Sequence, residues 1–383
     1  MPPGALGVSF FYHLTHKLER LDKSVYFVGL DGSRSIDSLL SADLQIADDE
    51  TTHRVPSGEV IFRSLAEARK GGLLPEILIV CPNPDQLLQV VSSLVTLIEQ
   101  IWNETPDPDE DLQLPVIILS SNGIYFQRVR QMFIEKLEES TLLGRLPDLW
   151  PDHMPRIIGH LLRGVTIQTG MRRGSGASTV YHPGPSGIST LAGGSEKVRA
   201  RCHEVLAERG GRFELTQGAS PTRLEFEKAI VNLAGNLLGL IHAFDEGGHF
   251  HPLTVGDIFV SDHQAAVREL ADHVFQVGQA VKAFAPSDDF ETIFAQILER
   301  CRSVQHHVPS SLQAAVIQIE AGTLEAKFPP TETWLIDPLI RYARSADLSD
   351  AATYFEGLRE TLIAKLQIAV ERQKQHQLQV IEA

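Results

Sequence analysis

The apolar residues of this chain change their period once, near residue 220. Before that point, short continuous apolar runs alternate with helical segments. Residues 5–21 (ALGVSFFYHLTHKLERL) carry apolar positions at helical spacing and end in basic residues, as a helix carboxyl end prefers. SVYFVGL (24–30) is a β-forming run closed by Asp31-Gly32, and after the polar stretch 41–58 come EVIF, read as a strand, and SLAEARKG, read as a short helix. EILIVCP (76–82) and LPVIILSSNG (114–123) are unbroken apolar runs of the kind buried on both faces of a parallel sheet, with a helix, 86–102, between them. Residues 103–112 form an acidic loop, 140–155 an irregular insertion, and 164–194 short strands and turns rich in Gly, Ser and Thr. A helix at 195–209 and the strand RFELT complete this part. Beyond it the pattern is helical throughout: 222–244, 261–285, 288–303, 310–321, 333–346 and 349–375. Alternating buried strands and helices predict an α/β Rossmann-type domain. The expectation is a dinucleotide-binding unit over 1–219, its first strand missing, followed by an all-α domain over 220–383 for substrate and dimerisation.

Composition narrows the functional classes. The chain has 383 residues, 43% of them apolar and 22% charged, enough for two sizeable cores. With 34 Lys and Arg against 49 Asp and Glu, the net charge of −15 argues against a nucleic-acid partner, which would need clustered cations. Three scattered cysteines with no metal-ligand spacing point to a reducing compartment. The longest uncharged stretch, 229–244, is interrupted by Asn232, Asn236 and His242 and is shorter than the ~20 residues of a membrane span. MPPGALGVSFFYHL has no basic segment of the secretory kind, so a cytoplasmic location is expected, with no membrane partner.

Two patterns carry candidate chemistry. In Gly4-Ala5-Leu6-Gly7, the glycines permit a tight turn and close backbone approach to a pyrophosphate, and a helix follows. Pro2 holds the place of the first glycine of that fingerprint, and Asp31 closes the next strand where a ribose contact belongs. The bland alternative is a flexible terminus. The second pattern is sharper. Lys228, Asn232 and Asn236 recur at i, i+4 and i+8 in EFEKAIVNLAGNLLGLI, drifting only about 80° around an α-helix that is otherwise apolar. Burying an amide or an ammonium without partners costs at least about 1–3 kcal/mol, so three on one stripe suggest a ligand-facing cleft. The bland alternative is that the asparagines bond neighbouring helices and the lysine reaches out to solvent.

Taken together, these segments resemble the ketopantoate reductases (2-dehydropantoate 2-reductases). The K-x-x-x-N-x-x-x-N helix of that family is matched by EFEKAIVNLAGN, its glycine loop by GALG, and its asparagine-glycine loop by SSNGIYFQRV. Its His-x-Gly-x-Gly strand region is similar to TVYHPGPSGISTLAG, and its late serine segment to HHVPSSLQAAV, all in the right order. The resemblance implies an NADP-dependent oxidoreductase reducing a small 2-keto acid, ketopantoate to pantoate, in pantothenate and coenzyme A biosynthesis. NADPH would be the cofactor, with NADH as the other option. Lys228 would be the general acid; Asn232, Asn236, Ser310 and Asn122 would bind substrate. Gly4, Ala5, Leu6, Gly7, Asp31, Arg34, Asn122 and Glu325 would contact the cofactor.

The departures are specific. Ala314 stands where the family has the Asp of a Ser-x-x-x-Asp pair, and Glu325 aligns with a family glutamate only across a small gap. Leu30 replaces the arginine that would read a 2′-phosphate. Asp31 after it favours NAD unless Arg34 turns back, and Cys81-Pro82 replaces a family lysine. These keep two further readings open: a related dehydrogenase of another 2-oxo acid, and a non-catalytic dinucleotide- or metabolite-binding protein. His249 and His251, near Asp245 and Glu246, read better as solvated loop residues than as a metal site. The amphipathic final helix packs on its own domain or supports a homodimer.

Overall fold

The computed structural model describes residues 4–16, 18, 25–30, 34–48, 51–107, 112–140, 142, 153–174, 178–259 and 263–382. Contacts divide the chain into two compact units: 1–121 with 125–221, and 122–124 with 222–383.

The first unit is the α/β domain that the apolar runs predict. Its main sheet holds β5 (Ile77–Val80), β6 (Val116–Leu119), β7 (Leu161–Thr166), β10 (Ser189–Gly193) and β11 (Phe213–Leu215), in the order β11-β10-β7-β6-β5. The pairs β5/β6 and β6/β7 are parallel, with Leu78 opposite Ile117 and Ile118 opposite Leu162. All four residues of β6 are buried, which explains why this strand reads as a continuous apolar run. A second sheet combines β2 (Leu44–Ala47), β3 (Thr52–Val55), β8 (Gly170–Arg173) and β9 (Val180–Pro183) in the order β3-β2-β9-β8. A two-stranded parallel pair joins β1 (Phe27–Val28) to β4 (Ile61–Phe62).

Helix α1 (Ala5–Leu14) serves two cores. Val8, Phe11 and Tyr12 pack with Phe27, Ile46 and Ile61, while Phe10 and Leu14 pack with Val116, Ile118 and Leu191. It ends earlier than the pattern predicts: Thr15 is its C-cap, and the backbone turns out of the helix at His16, whose φ is 49°. The EVIF strand is likewise shorter than expected. Ser57–Val60 form a helical turn, and only Ile61 and Phe62 pair as strand. Outside the described residues lie Asp31 and most of the 140–155 insertion.

A buried cation organises the end of β6. Arg163 on β7 is 3% exposed and donates to the carbonyls of Leu119 at 2.5 Å and Ser121 at 2.8 Å. Its guanidinium also stands 4.6 Å from the Tyr125 ring centroid. The planar fork answers carbonyls that leave the strand in diverging directions, a task for which an ammonium is too compact.

The second unit is helical. It opens with Pro221–Asn232, passes through the π-helical segment Leu233–Leu238, and closes its first rod at Gly239–Ala243. Around it pack Val255–Phe259, Gln264–Ala280, Phe290–Arg302, Ser310–Glu320, Pro330–Ser345 and the long Ser349–Glu382. The central rod is buried nearly all round: Phe226, Ala229, Leu233, Ala234 and Leu237 are wholly inaccessible. Close packing explains Gly239, where a Cβ would stand 2.9 Å from Ile258 Cδ1 and 3.0 Å from Leu312 Cδ1. No helix among the described residues is long and apolar enough to cross a membrane.

The Arg163 arrangement yields a prediction. Arg163→Leu should lower stability by about 2–4 kcal/mol by removing a donor from the buried Leu119 and Ser121 carbonyls, the latter keeping only the Tyr125 hydroxyl, and Arg163→Lys should recover less than half of that. Urea unfolding of the full chain checks it; a Lys variant as stable as the parent would contradict the geometric argument.

Candidate active site

In the helical unit, the polar stripe predicted from spacing is rearranged by the π segment. Asn232 ends the α-helical turn and Asn236 lies within the i→i+5 stretch. A π turn rotates less per residue than an α turn, so Asn236 falls back toward the line of Lys228 instead of drifting further round. Such insertions concentrate at functional sites.

The three side chains have different surroundings. Lys228 is half-buried, with no hydrogen bond or ion pair among the described residues. Burial pulls its pKa down from the usual lysine range to about 8, offset slightly by Cys301. Asn232 is buried and has no hydrogen-bond partner among the described residues. Asn236 is buried and employed: its amide oxygen accepts from the backbone N–H of Ser311 at 3.2 Å, with the Ser310 hydroxyl at 3.5 Å. It thereby caps the helix Ser310–Glu320, whose own N-cap position is Pro309. For Asn236 the interhelical reading therefore holds for the oxygen.

One residue that sequence reasoning missed joins this cluster. Glu332 is wholly buried, and its Oε1 accepts from the Ser311 hydroxyl at 2.7 Å. Its Oε2 has no partner among the described residues. Burial pushes its carboxyl up to about 7, against the pull of the Ser311 bond. The only sequence signal is a carboxylate in the first turn of a helix announced by Pro329-Pro330, and that position ordinarily reads as a dipole partner.

The remaining predicted residues fall as follows. Ser310 is exposed at the start of its helix. Asn122 is exposed in the loop that clusters with this unit, where Gly123 has φ of 129° and Ile124 donates to the carbonyl of Trp334. Ala314 is exposed and presents no functional group. Glu325 does not join the cluster: it is exposed and paired with Lys327 at 2.7 Å, because its own segment is a surface turn between two helices. His249 binds Asp245 at 3.0 Å within its loop, as a solvated turn would. No group of three metal-capable side chains occurs among the described residues.

In the α/β unit, Gly4 caps α1 in an extended conformation, with no side-chain cap and no acidic residue in the first turn. Ala5 and Leu6 form that turn. A Cβ at Gly4 or Gly7 would meet nothing within 4 Å, so the approach to these N–H groups is open. Those observations fit a dinucleotide phosphate. Arg34 opens the helix Arg34–Leu40, while Asp31 lies outside the described residues.

Comparison with known proteins places the fold. No family model matches the chain, and no curated protein matches its sequence. Solved structures do. A D-mandelate dehydrogenase in ternary complex with NADH and anilino(oxo)acetate superposes with a TM-score of 0.63 at 16% identity, covering 95% of this chain and 96% of that one. A ketopantoate reductase from Ralstonia eutropha JMP134 gives 0.55 at 13% identity, covering 95% and 97%. A 2-dehydropantoate 2-reductase from Methylococcus capsulatus gives 0.53 at 16% identity, covering 97% and 96%. The chain therefore has the ketopantoate-reductase-like fold: a parallel-stranded α/β unit followed by helices.

Glu332 supplies a pH test. Its pKa is higher folded than unfolded, so the stability it contributes is present below its unfolded value near 4.3 and is lost as pH rises toward 7. Glu332→Gln, which keeps the Ser311 bond and removes the charge, should be the more stable protein at pH 8, by up to about 3 kcal/mol. At pH 4.5 the two should unfold at similar denaturant concentrations, and a pH-independent difference would contradict the burial argument.

Proposed function

We propose that this chain is an NAD(P)H-dependent reductase of a small 2-keto acid, and that ketopantoate, going to pantoate, is the substrate. The observation that carries the reading is Lys228: a half-buried ammonium with no carboxylate among the described residues, a pKa near 8, and two asparagines at one-turn spacing on the same rod. A lysine kept for structure would be paired or solvated; one kept for acid catalysis needs a pKa close to the working pH.

When bound, the nicotinamide supplies the hydride. Lys228 Nζ then hydrogen-bonds the keto oxygen, stabilises the negative charge developing there and donates the proton that completes the alcohol. Asn232 offers an amide to the substrate's hydroxyl and carbonyl groups, and Asn236 its remaining NH₂. Ser310 and the first turn of its helix attract the carboxylate, with Asn122 as a further substrate or cofactor contact. The Ser311–Glu332 pair holds that turn in place beside Asn236. Gly4, Ala5, Leu6 and Gly7 would cradle the pyrophosphate, and Asp31 and Arg34 would face the ribose. NADPH is the cofactor the family resemblance implies, whereas Asp31 after Leu30 favours NADH.

Two alternatives have specific support. The fold likeness to a D-mandelate dehydrogenase favours another 2-oxo acid, with the same roles for Lys228 and the asparagines. Ala314, in place of the expected Asp, favours a protein that binds dinucleotide without turnover.

Titrating NADPH and NADH while following nicotinamide fluorescence, then adding ketopantoate, separates these readings. Binding with turnover supports the proposal; binding without turnover on any 2-keto acid supports the non-catalytic alternative; binding of neither nucleotide refutes both. If turnover occurs, Lys228→Met should cut kcat by about 10²-fold or more. It should leave the melting temperature unchanged or raise it, because it removes a poorly compensated charge. In the reduction direction, kcat/KM should be level at low pH and fall as pH rises through about 8, where Lys228 loses its proton. A fully active Lys228→Met, or a profile level to pH 10, would overturn Lys228 as the acid.

A further inference from the structure

Gln168 lies just past the end of β7, where the chain turns into the β8–β9 hairpin, and it is 7% exposed. Its side-chain oxygen accepts from the backbone N–H of Gly187 at 2.7 Å. Its Nε2 donates to the Ser9 hydroxyl at 2.6 Å and lies 3.0 Å from the carbonyl oxygen of Pro185 and 3.2 Å from that of Thr169. These partners fix which way the amide points, since only its oxygen can accept from Gly187 and only its nitrogen can donate to a carbonyl. Thr166 sets the backbone beneath it: the Thr166 hydroxyl oxygen receives the N–H of Gln168 at 2.9 Å and the hydroxyl of Ser189 at 2.8 Å. Ser9 belongs to α1 and is wholly inaccessible. One buried amide therefore ties α1 to the turn that follows β9.

Close packing surrounds this tie. A Cβ at Gly170, the first residue of β8, would collide with the carbonyl oxygen of Ala5 and stand 3.2 Å from Ser9 Cβ, so the strand backbone rests directly on the first turn of α1. A Cβ at Gly187 would stand 2.5 Å from the backbone nitrogen of Gln168. One turn beyond Ser9 on the same helix face, His13 Nε2 donates to the carbonyl of Gly184 at 2.9 Å.

The part of α1 held in this way is the part with least other support. Val8 to Tyr12 are buried, and the apolar residues among them pack into two cores, whereas Ala5, Leu6 and Gly7 are half-buried and have no capping side chain or acidic neighbour in the turn. Apolar packing is not directional, so it fixes how deep the helix sits better than it fixes where its end points. Hydrogen bonds at set distances and angles supply that direction. An apolar residue at 168 would fill the same space and leave the Gly187 N–H and the Pro185 carbonyl short of a partner.

We propose that Gln168 is a positioning residue for the dinucleotide. Through Ser9, and through β8 at Gly170, it sets where the first turn of α1 points, so that the N–H groups of that turn meet the pyrophosphate oxygens. It acts through α1 and not by touching the ligand. The assignment rests on the reading of Gly4 to Gly7 as the pyrophosphate turn.

The test compares the full chain with Gln168→Met, Ser9→Ala and Leu137→Ala. Leu137 is wholly buried in a core to which α1 contributes nothing, so its variant is a destabilised control. Two quantities are measured well below each melting temperature: the Kd of NADH and of NADPH by nicotinamide fluorescence, and hydrogen exchange at the Val8 amide, which donates to the Gly4 carbonyl at 3.0 Å. Gln168→Met should weaken nucleotide binding at least tenfold and speed Val8 exchange at least tenfold. Ser9→Ala should move both in the same direction, and should do so even if Gln168→Met does not fold. Leu137→Ala should lower the melting temperature and leave both within twofold of the parent. Nucleotide affinity within twofold in the Gln168 and Ser9 variants would overturn the proposal, as would equal weakening by Leu137→Ala. If the parent binds neither nucleotide, the reading of the turn fails and the role of Gln168 toward a dinucleotide fails with it. Val8 exchange then reports separately whether the tie to α1 exists, and an unchanged rate in the Gln168 and Ser9 variants would overturn that as well.

Discussion

An ammonium group in a helix buried on nearly every side is the constraint to which the helical unit is built. Lys228 sits one residue from wholly inaccessible Ala229 and two from Phe226, on the rod around which the other helices pack. Its charge is not cancelled by a carboxylate among the described residues, and burial lowers its pKa to about 8. Replacing it with an apolar residue would make the rod easier to fold, so its presence is an expense that chemistry has to justify. The π segment belongs to the same logic. It costs regular hydrogen bonding, and it returns Asn236 toward Lys228 while aiming the amide oxygen at the helix of Ser310 and Ser311. That helix in turn is tied through Ser311 to buried Glu332.

The α/β unit is governed by a different constraint: parallel strands need partners on both sides. β6 has them and is wholly buried; β5 has one and is half-exposed. Arg163 completes the carbonyl ends of β6 from within the sheet, a region where ligands of open α/β folds ordinarily bind. The net charge of −15 opposes anionic ligands at long range, so local donors such as the α1 turn, Lys228 and the Ser310 turn have to supply attraction at short range.

Much of this was legible in the sequence. The strands at 76–82 and 114–123, the helix between them and the change to helices after 220 follow from apolar periodicity and all are present, although the first strand is half-exposed where the run predicts burial on both faces. The spacing of Lys228, Asn232 and Asn236 put them on one rod, as found. What stayed hidden depends on tertiary packing. Nothing local distinguishes Glu332 from an ordinary first-turn acid, nor Glu325 from a site residue, until the fold buries one and exposes the other. The π segment lies in a fully buried stretch, Leu233–Leu238, and an ideal helical wheel does not register it. Arg163 reads as a polar interruption in a strand, and only the Leu119, Ser121 and Tyr125 surroundings give it a purpose.

The central claim is electrostatic: Lys228 carries an ammonium that its surroundings have made a weak enough base to work near neutral pH. The direct measurement is an NMR titration of the lysine ¹³Cε resonances in the unliganded protein, with Lys228→Met used to assign the signal. The account predicts one lysine titrating near pH 8, well below the others, and absent from the variant spectrum. A Lys228 resonance that titrates with the remaining lysines near 10.4 would contradict it.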